Sequence, residues 1–224
     1  MLSRDTMLTQ RKIEFLIISG LVIFVILIIG LVWFALTSQE RHLEKLASQH
    51  EQGQKLLEQF RTAKKALKKD PNDFGAYFEI GWVKSELKDF EGAEAAYQKS
   101  LSINPNNLVA FSNLANVYIQ LKKYPQAEEA FLKSLELNPQ YIPTYLSLVD
   151  FYQNYYTEKK TEIEKILLKG LQEASEHESL LSSLAAYYRD TGQKGKAIET
   201  YERILRQKPG DEAIREEILK LGTQ

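Results

Sequence analysis

The sequence predicts an all-α protein: one N-terminal transmembrane helix followed by a series of stacked helix-turn-helix units. Three observations predict it. Residues 15–36 form one uncharged apolar run. Four of the six prolines lie on a lattice: Pro71, Pro105 and Pro139 are evenly spaced, and Pro209 follows at about twice that interval. Between those prolines the same residue types return in register, and no alternating apolar–polar stretch of comparable length competes as a strand.

The first element is the run FLIISGLVIFVILIIGLVWFAL, which carries no charge from end to end. As a helix it is about 33 Å long, against a hydrocarbon core of about 30 Å. It is longer than the roughly 7–15 apolar residues of a signal peptide, and Ala35-Leu36-Thr37 is a poor cleavage site. A buried core helix would carry a polar face, and this run has none. Arg4, Arg11 and Lys12 precede it, in a short tail over 1–14; Arg41 and Lys45 closely follow it. This slight excess of basic residues on the N-terminal side predicts a cytoplasmic N-terminus and an extracytoplasmic C-terminal part.

After Pro71 come Tyr77, Ile80, Gly81, Ala93 and Tyr97, closing at Pro105. After Pro105 come Phe111, Leu114, Ala115, Tyr118, Ala127 and Phe131, closing at Pro139. The block that closes at Pro209 holds Leu181, Leu184, Ala185, Tyr188, Ala197 and Tyr201. This pattern resembles the tetratricopeptide repeat (TPR), W-x2-L-G-x2-Y then A-x3-F then P, with a period of about 34 residues. Small residues let two helices approach closely, aromatics fill the space toward the next block, and proline redirects the chain between blocks.

The blocks predicted on this basis are 74–107, 108–141, 142–177 and 178–210, with a capping helix over 211–224. The block at 142–177 is degenerate. Its second helix is shifted by two residues, so that Ile163, Leu167 and Gly170 take the alanine, aromatic and small-residue roles, and the turn YYTEKKTE absorbs the insertion at little cost. Residues 37–73 read as a linker or a degenerate first repeat, with Gln59 at the expected alanine site. Asp211 is the predicted cap of the last helix, whose Ile214, Ile218 and Leu221 share one face; solenoids need such a polar-backed end.

The resemblance implies a right-handed superhelix, an α-solenoid whose first helices line a concave groove. Carried over residue by residue, the groove displays Phe78, Trp82 and Glu86; then Ser112, Asn113, Asn116, Ile119 and Gln120; then Leu146, Asp150, Gln153 and Asn154; and finally Ser182, Ala186, Arg189 and Asp190. Trp82 reads equally as a packing residue and as an interface anchor of the kind enriched at binding hot spots. Some members of the family hold a carboxylate in a clamp of basic residues on consecutive first helices. Here Phe78, Ser112, Pro143 and Ser147 occupy that face, so the clamp is missing. The implied partner is a protein, either an extended peptide or a helix.

Other function classes fit poorly. The chain holds 29 Lys and Arg against 30 Asp and Glu. Beyond Gln39 the two signs are interspersed, and so the clustered cations of a nucleic-acid-binding face are lacking. Cysteine is absent, which removes disulfides, thiolate metal sites and cysteine nucleophiles. His42 and His50 lie about 12 Å apart along a helix, too far to share a metal. No hydrolase, metalloprotease or nucleotide-binding motif occurs. The sequence therefore predicts a non-enzymatic protein without cofactor or metal, bound to lipid through 15–36. It resembles bacterial membrane-anchored TPR proteins of the inner or cell membrane that scaffold envelope complexes. The alternatives are a self-associating structural subunit or coat, and a chaperone-like factor for secreted or membrane proteins.

Overall fold

The computed structural model describes residues 21–29, 38 and 40–222. Of the apolar run, residues 21–29 are helical and their side chains, from Leu21 to Ile29, are all exposed; the rest of the predicted span lies outside the described residues. Among the described residues no helix is long and apolar enough to cross a membrane.

The contacts fall into two compact units that adjoin in sequence at Glu58 and Gln59. In the first, helix α1 over 40–47 turns into the start of α2, Gly53–Lys69, within which the boundary falls. The turn is tight: a Cβ on Gly53 would stand 1.8 Å from the Ala47 carbonyl oxygen, so no larger residue fits there.

The second unit is a succession of antiparallel helix pairs. They are α3 (Phe74–Glu86) with α4 (Phe90–Ile103), α5 (Leu108–Gln120) with α6 (Tyr124–Leu137), α7 (Ile142–Asn154) with α8 (Ile163–Glu173), and α9 (Glu178–Asp190) with α10 (Lys194–Gln207). Helix α11, Glu212–Gly222, packs on α10. Each second helix also touches the first helix of the following pair, the nearest-neighbour packing of a solenoid.

Local chemistry sets the helix starts. Asp73 caps α3 by accepting from the Ala76 N–H at 3.0 Å, Asn107 caps α5 through Ala110 at 3.0 Å, and Asp211 caps α11 through Ile214 at 3.1 Å. Proline begins α6 and α7 instead, where its missing N–H costs nothing. Within three pairs the turn passes through a left-handed residue: Lys88 (φ 63°), Lys122 (φ 58°) or Gly192 (φ 74°). The α7–α8 pair turns differently, through a six-residue 3-10 helix, Thr157–Glu162.

Small residues sit where helices meet. Ala93, Ala127 and Ala197 are fully buried. A Cβ on Gly81 would lie 2.8 Å from the Tyr97 ring, and one on Gly170 would lie 3.1 Å from the Tyr145 ring. Apolar clusters result, two of which span the pairs. One gathers Tyr97, Leu101, Leu114 and Val117; the larger runs from Ala115 through Phe131, Phe151, Leu167 and Leu184 to Leu221. Each fully buried side chain of this size is worth roughly 1.5–3 kcal/mol.

Candidate protein-binding wall

The first helices α3, α5, α7 and α9 follow one another along the second unit, with α3 touching α5 and α7 touching α9. Their common free face is the candidate wall. It presents Glu86, Asn116, Gln120, Asp150, Gln153, Asn154 and Arg189 as exposed or partly exposed side chains. Phe78, Trp82, Asn113, Leu146, Ser182 and Ala186 are half-buried.

Several of these are already engaged. Phe78 meets the Tyr97 ring edge-on, with centroids 5.6 Å apart. Trp82 rests partly on the cluster around Tyr97, which makes it a packing residue with an open side. The Asn113 amide donates to the Tyr97 hydroxyl at 3.3 Å. Burial pushes the Tyr97 phenol far above its ordinary range; that hydrogen bond opposes the shift and Glu86 and Glu79 add to it. Asn154 donates to Asp150 at 2.7 Å, and Arg189 pairs with Asp190 at 2.9 Å and with Glu217 of α11 at 3.4 Å.

Two expected groove residues do not belong to the wall. Ser112 is 8% and Ile119 6% exposed. Ile119 joins the larger apolar cluster, and the Ser112 hydroxyl accepts from Thr144 of α7, which also bonds Ser134 of α6 at 2.9 Å. Helix α5 contacts α3, α4 and α6, so its free face is narrower than that of a helix packed on one side.

A second set of polar contacts, in which repeat tyrosines meet Glu and Lys partners that the sequence pattern does not mark, joins successive pairs. Glu128 of α6 accepts from the Tyr152 hydroxyl of α7 at 2.6 Å and pairs with Lys159 at 3.2 Å. Glu164 of α8 accepts from the Tyr188 hydroxyl of α9 at 2.8 Å and pairs with Lys196 of α10 at 3.0 Å. Glu94 of α4 pairs with Lys123 at 2.7 Å, and that ammonium sits 5.8 Å from the centre of the Tyr118 ring. Burial first, and then the bonded carboxylate, raises the phenols of Tyr152 and Tyr188, the latter to about 12. The Tyr188 hydroxyl and then Lys196 hold Glu164 below the ordinary carboxylate value. Each Glu–Tyr–Lys group fastens one helix pair to the next; it is structural, and its signal was a Glu directly after Ala93, Ala127 and Ile163.

The tetratricopeptide-repeat family matches three stretches of the chain, residues 74–107, 109–141 and 180–213. Among solved structures, the crystal structure of MamA is 18% identical, covering 67% of this chain and 86% of that one with a TM-score of 0.56. TTC0263, a thermophilic TPR protein of Thermus thermophilus, is 20% identical, covering 83% of this chain and 100% of that one with a TM-score of 0.52. YrrB, described as a TPR protein with an unusual peptide-binding site, is 18% identical, covering 68% and 77% with a TM-score of 0.52. At such identities the likeness concerns the fold. No curated protein matches the sequence.

Proposed function

Because this chain belongs to the tetratricopeptide-repeat family, a fold consistent with protein–protein interaction, we propose that it is a membrane-anchored scaffold holding a peptide or helix of a partner protein against its first-helix wall. The observation that carries this reading is the wall itself. Successive first helices offer exposed amides (Asn116, Gln120, Gln153 and Asn154) beside the half-buried Phe78, Trp82 and Leu146. Amide side chains can bond a peptide backbone, and partly covered aromatic and aliphatic groups give it apolar area at low entropic cost.

Anchoring is supported by the consecutive exposed apolar residues over 21–29, in helical conformation inside an uncharged run long enough to span a bilayer. The weak excess of basic residues before that run favours a wall outside the cytoplasm. A partner in a cell-envelope complex, whose assembly the wall would assist, fits that placement.

Site-specific photo-crosslinking in native membranes tests the reading. A crosslinker at Asn116 or Gln120 captures a protein neighbour, and one at Lys133 on the outer face of α6 does not. Equal capture from both faces, or none from the wall, removes it. Capture of a second copy of this chain from the wall would instead establish self-association.

A further inference from the structure

Resting on the wall reading above, we propose that the turn inserted between α7 and α8 completes a pocket for one acidic side chain, a glutamate, of the segment that lies along the wall. The pocket has a volume of about 390 Å³, inside the roughly 300–1,000 Å³ of ligand sites. Gln153 at the end of α7 and Tyr187 and Asp190 at the end of α9 form one side. Lys160 and Thr161 of the 3-10 helix form the other, over the buried Ile163.

The inserted turn is a built feature. Tyr156 lies among Tyr124, Phe151 and Tyr152, with ring centroids 5.9, 5.6 and 6.5 Å away. Lys159 is tied back to Glu128. Neighbouring cations are also engaged: Arg189 with Asp190 and Glu217, Lys165 with Glu162, Lys196 with Glu164. The Lys160 ammonium has no partner among the described residues. Lys160, exposed to solvent, is thus the one cation of the lining outside an ion pair, and it can receive one anion.

The remaining groups narrow the choice. The Thr161 hydroxyl and Gln153 amide can donate to a carboxylate beside Lys160. Ile163 and the Tyr187 ring offer apolar surface to two methylenes. Asp190, already paired with Arg189, keeps an acceptor oxygen for a passing main-chain N–H. The first helices α7 and α9 both line the pocket, and α11 continues the packing beyond α10. A segment on the wall therefore crosses the pocket, which favours a side-chain carboxylate over a chain terminus. The cation comes from an insertion in a turn, not from a first helix.

The test is an amide-resolved NMR titration of the full chain with N-acetylglutamate N-methylamide. The Thr161, Tyr187 and Thr191 signals shift saturably. N-acetylglutamine N-methylamide and N-acetylalanine, which carries only a terminal carboxylate, bind about tenfold more weakly, the size expected for one charge-assisted bond. Lys160→Gln abolishes the preference for the glutamate probe, and Lys165→Gln retains it. Equal response to the glutamate and glutamine probes, stronger binding of N-acetylalanine, or an unchanged preference in Lys160→Gln overturns the assignment. The probe is a single residue read at the pocket, so its failure leaves wall crosslinking from Asn116 unaffected. Loss of that crosslinking likewise leaves the titration result standing.

Discussion

The regular pairs over 74–141 and the irregular pair over 142–177 solve the same packing problem with different turns. In the regular pairs one left-handed lysine reverses the chain. In the irregular pair a 3-10 helix does so, and the extra length is held by aromatic rings around Phe151 and Tyr156. The Glu128–Tyr152–Lys159 group is nonetheless formed there as the Glu164–Tyr188–Lys196 group is in the next pair. The contacts between helices are kept and the path of the turn is free, because lengthening a surface turn by about two residues costs only a few tenths of a kcal/mol.

The largest expected effect breaks that comparison at one equivalent position. Phe151 and Val117 are both fully buried and occupy the same place in successive repeats. Phe151→Ala removes the ring that supports Tyr124 and Tyr156 and should cost about 3–5 kcal/mol, against about 2 kcal/mol for Val117→Ala. Denaturant midpoints measure both. Phe151→Val, which installs the regular residue, should fall between them; an equal loss at the two positions would mean the insertion does not depend on its aromatic support.

Next come the two helix-pair glycines. Alanine at Gly81 would press on the buried Tyr97 ring at 2.8 Å, whereas at Gly170 the nearest atoms are 3.1 Å away. Gly81→Ala should cost about 1–3 kcal/mol by overpacking. At Gly170 the smaller intrusion is opposed by the higher helix propensity of alanine, worth about 1 kcal/mol, so the loss should be clearly less. Thermal melts of the two variants rank them.

The inter-pair groups give a pH signature. Tyr188 is raised from 10.0 to about 12, so its contribution is complete below pH 10.0 and is lost as pH climbs toward 12. Glu164 is lowered from 4.5, so its contribution is present above that value and is lost as pH falls below it. Tyr188→Phe should lower stability by about 1 kcal/mol at neutral pH and flatten both limbs of a stability–pH curve. Unchanged limbs would show that the hydroxyl–carboxylate bond does not persist in solution.

Much of the all-α repeat was legible because it rests on residue type at a fixed period: alanine, glycine or aromatic wherever two helices meet. Exposure on the first helices was legible from helical periodicity at Asp150 and Gln153. The same reading failed at Ser112 and Ile119, since burial from several neighbouring helices is invisible on a single helical wheel. The Glu–Tyr–Lys groups escaped for another reason. The Tyr–Glu separation is 24 in both direct cases, but the Lys–Glu separation is 29 in one group and 32 in another, so a search at a fixed period passes over them. Lys160 could be read only once the 3-10 helix was seen to line one pocket with Asp190.

The smallest expected effect sharpens the contrast between turns. Lys88 and Lys122 occupy the left-handed region that glycine takes at Gly192. A side chain there costs roughly 1–2 kcal/mol, partly offset because glycine loses more chain entropy on folding, by about 0.5–1 kcal/mol. Lys122→Gly should therefore gain a few tenths of a kcal/mol, up to about 1, and Gly192→Lys should lose a similar amount. In the irregular turn none of residues 155–162 has a positive φ, so Lys160→Gly gains nothing and loses stability through entropy alone. Differential scanning calorimetry on the three variants tests this. Opposite signs at Lys122 and Lys160 support two distinct ways of reversing the chain, and a gain at both would mean that the inserted turn also carries backbone strain.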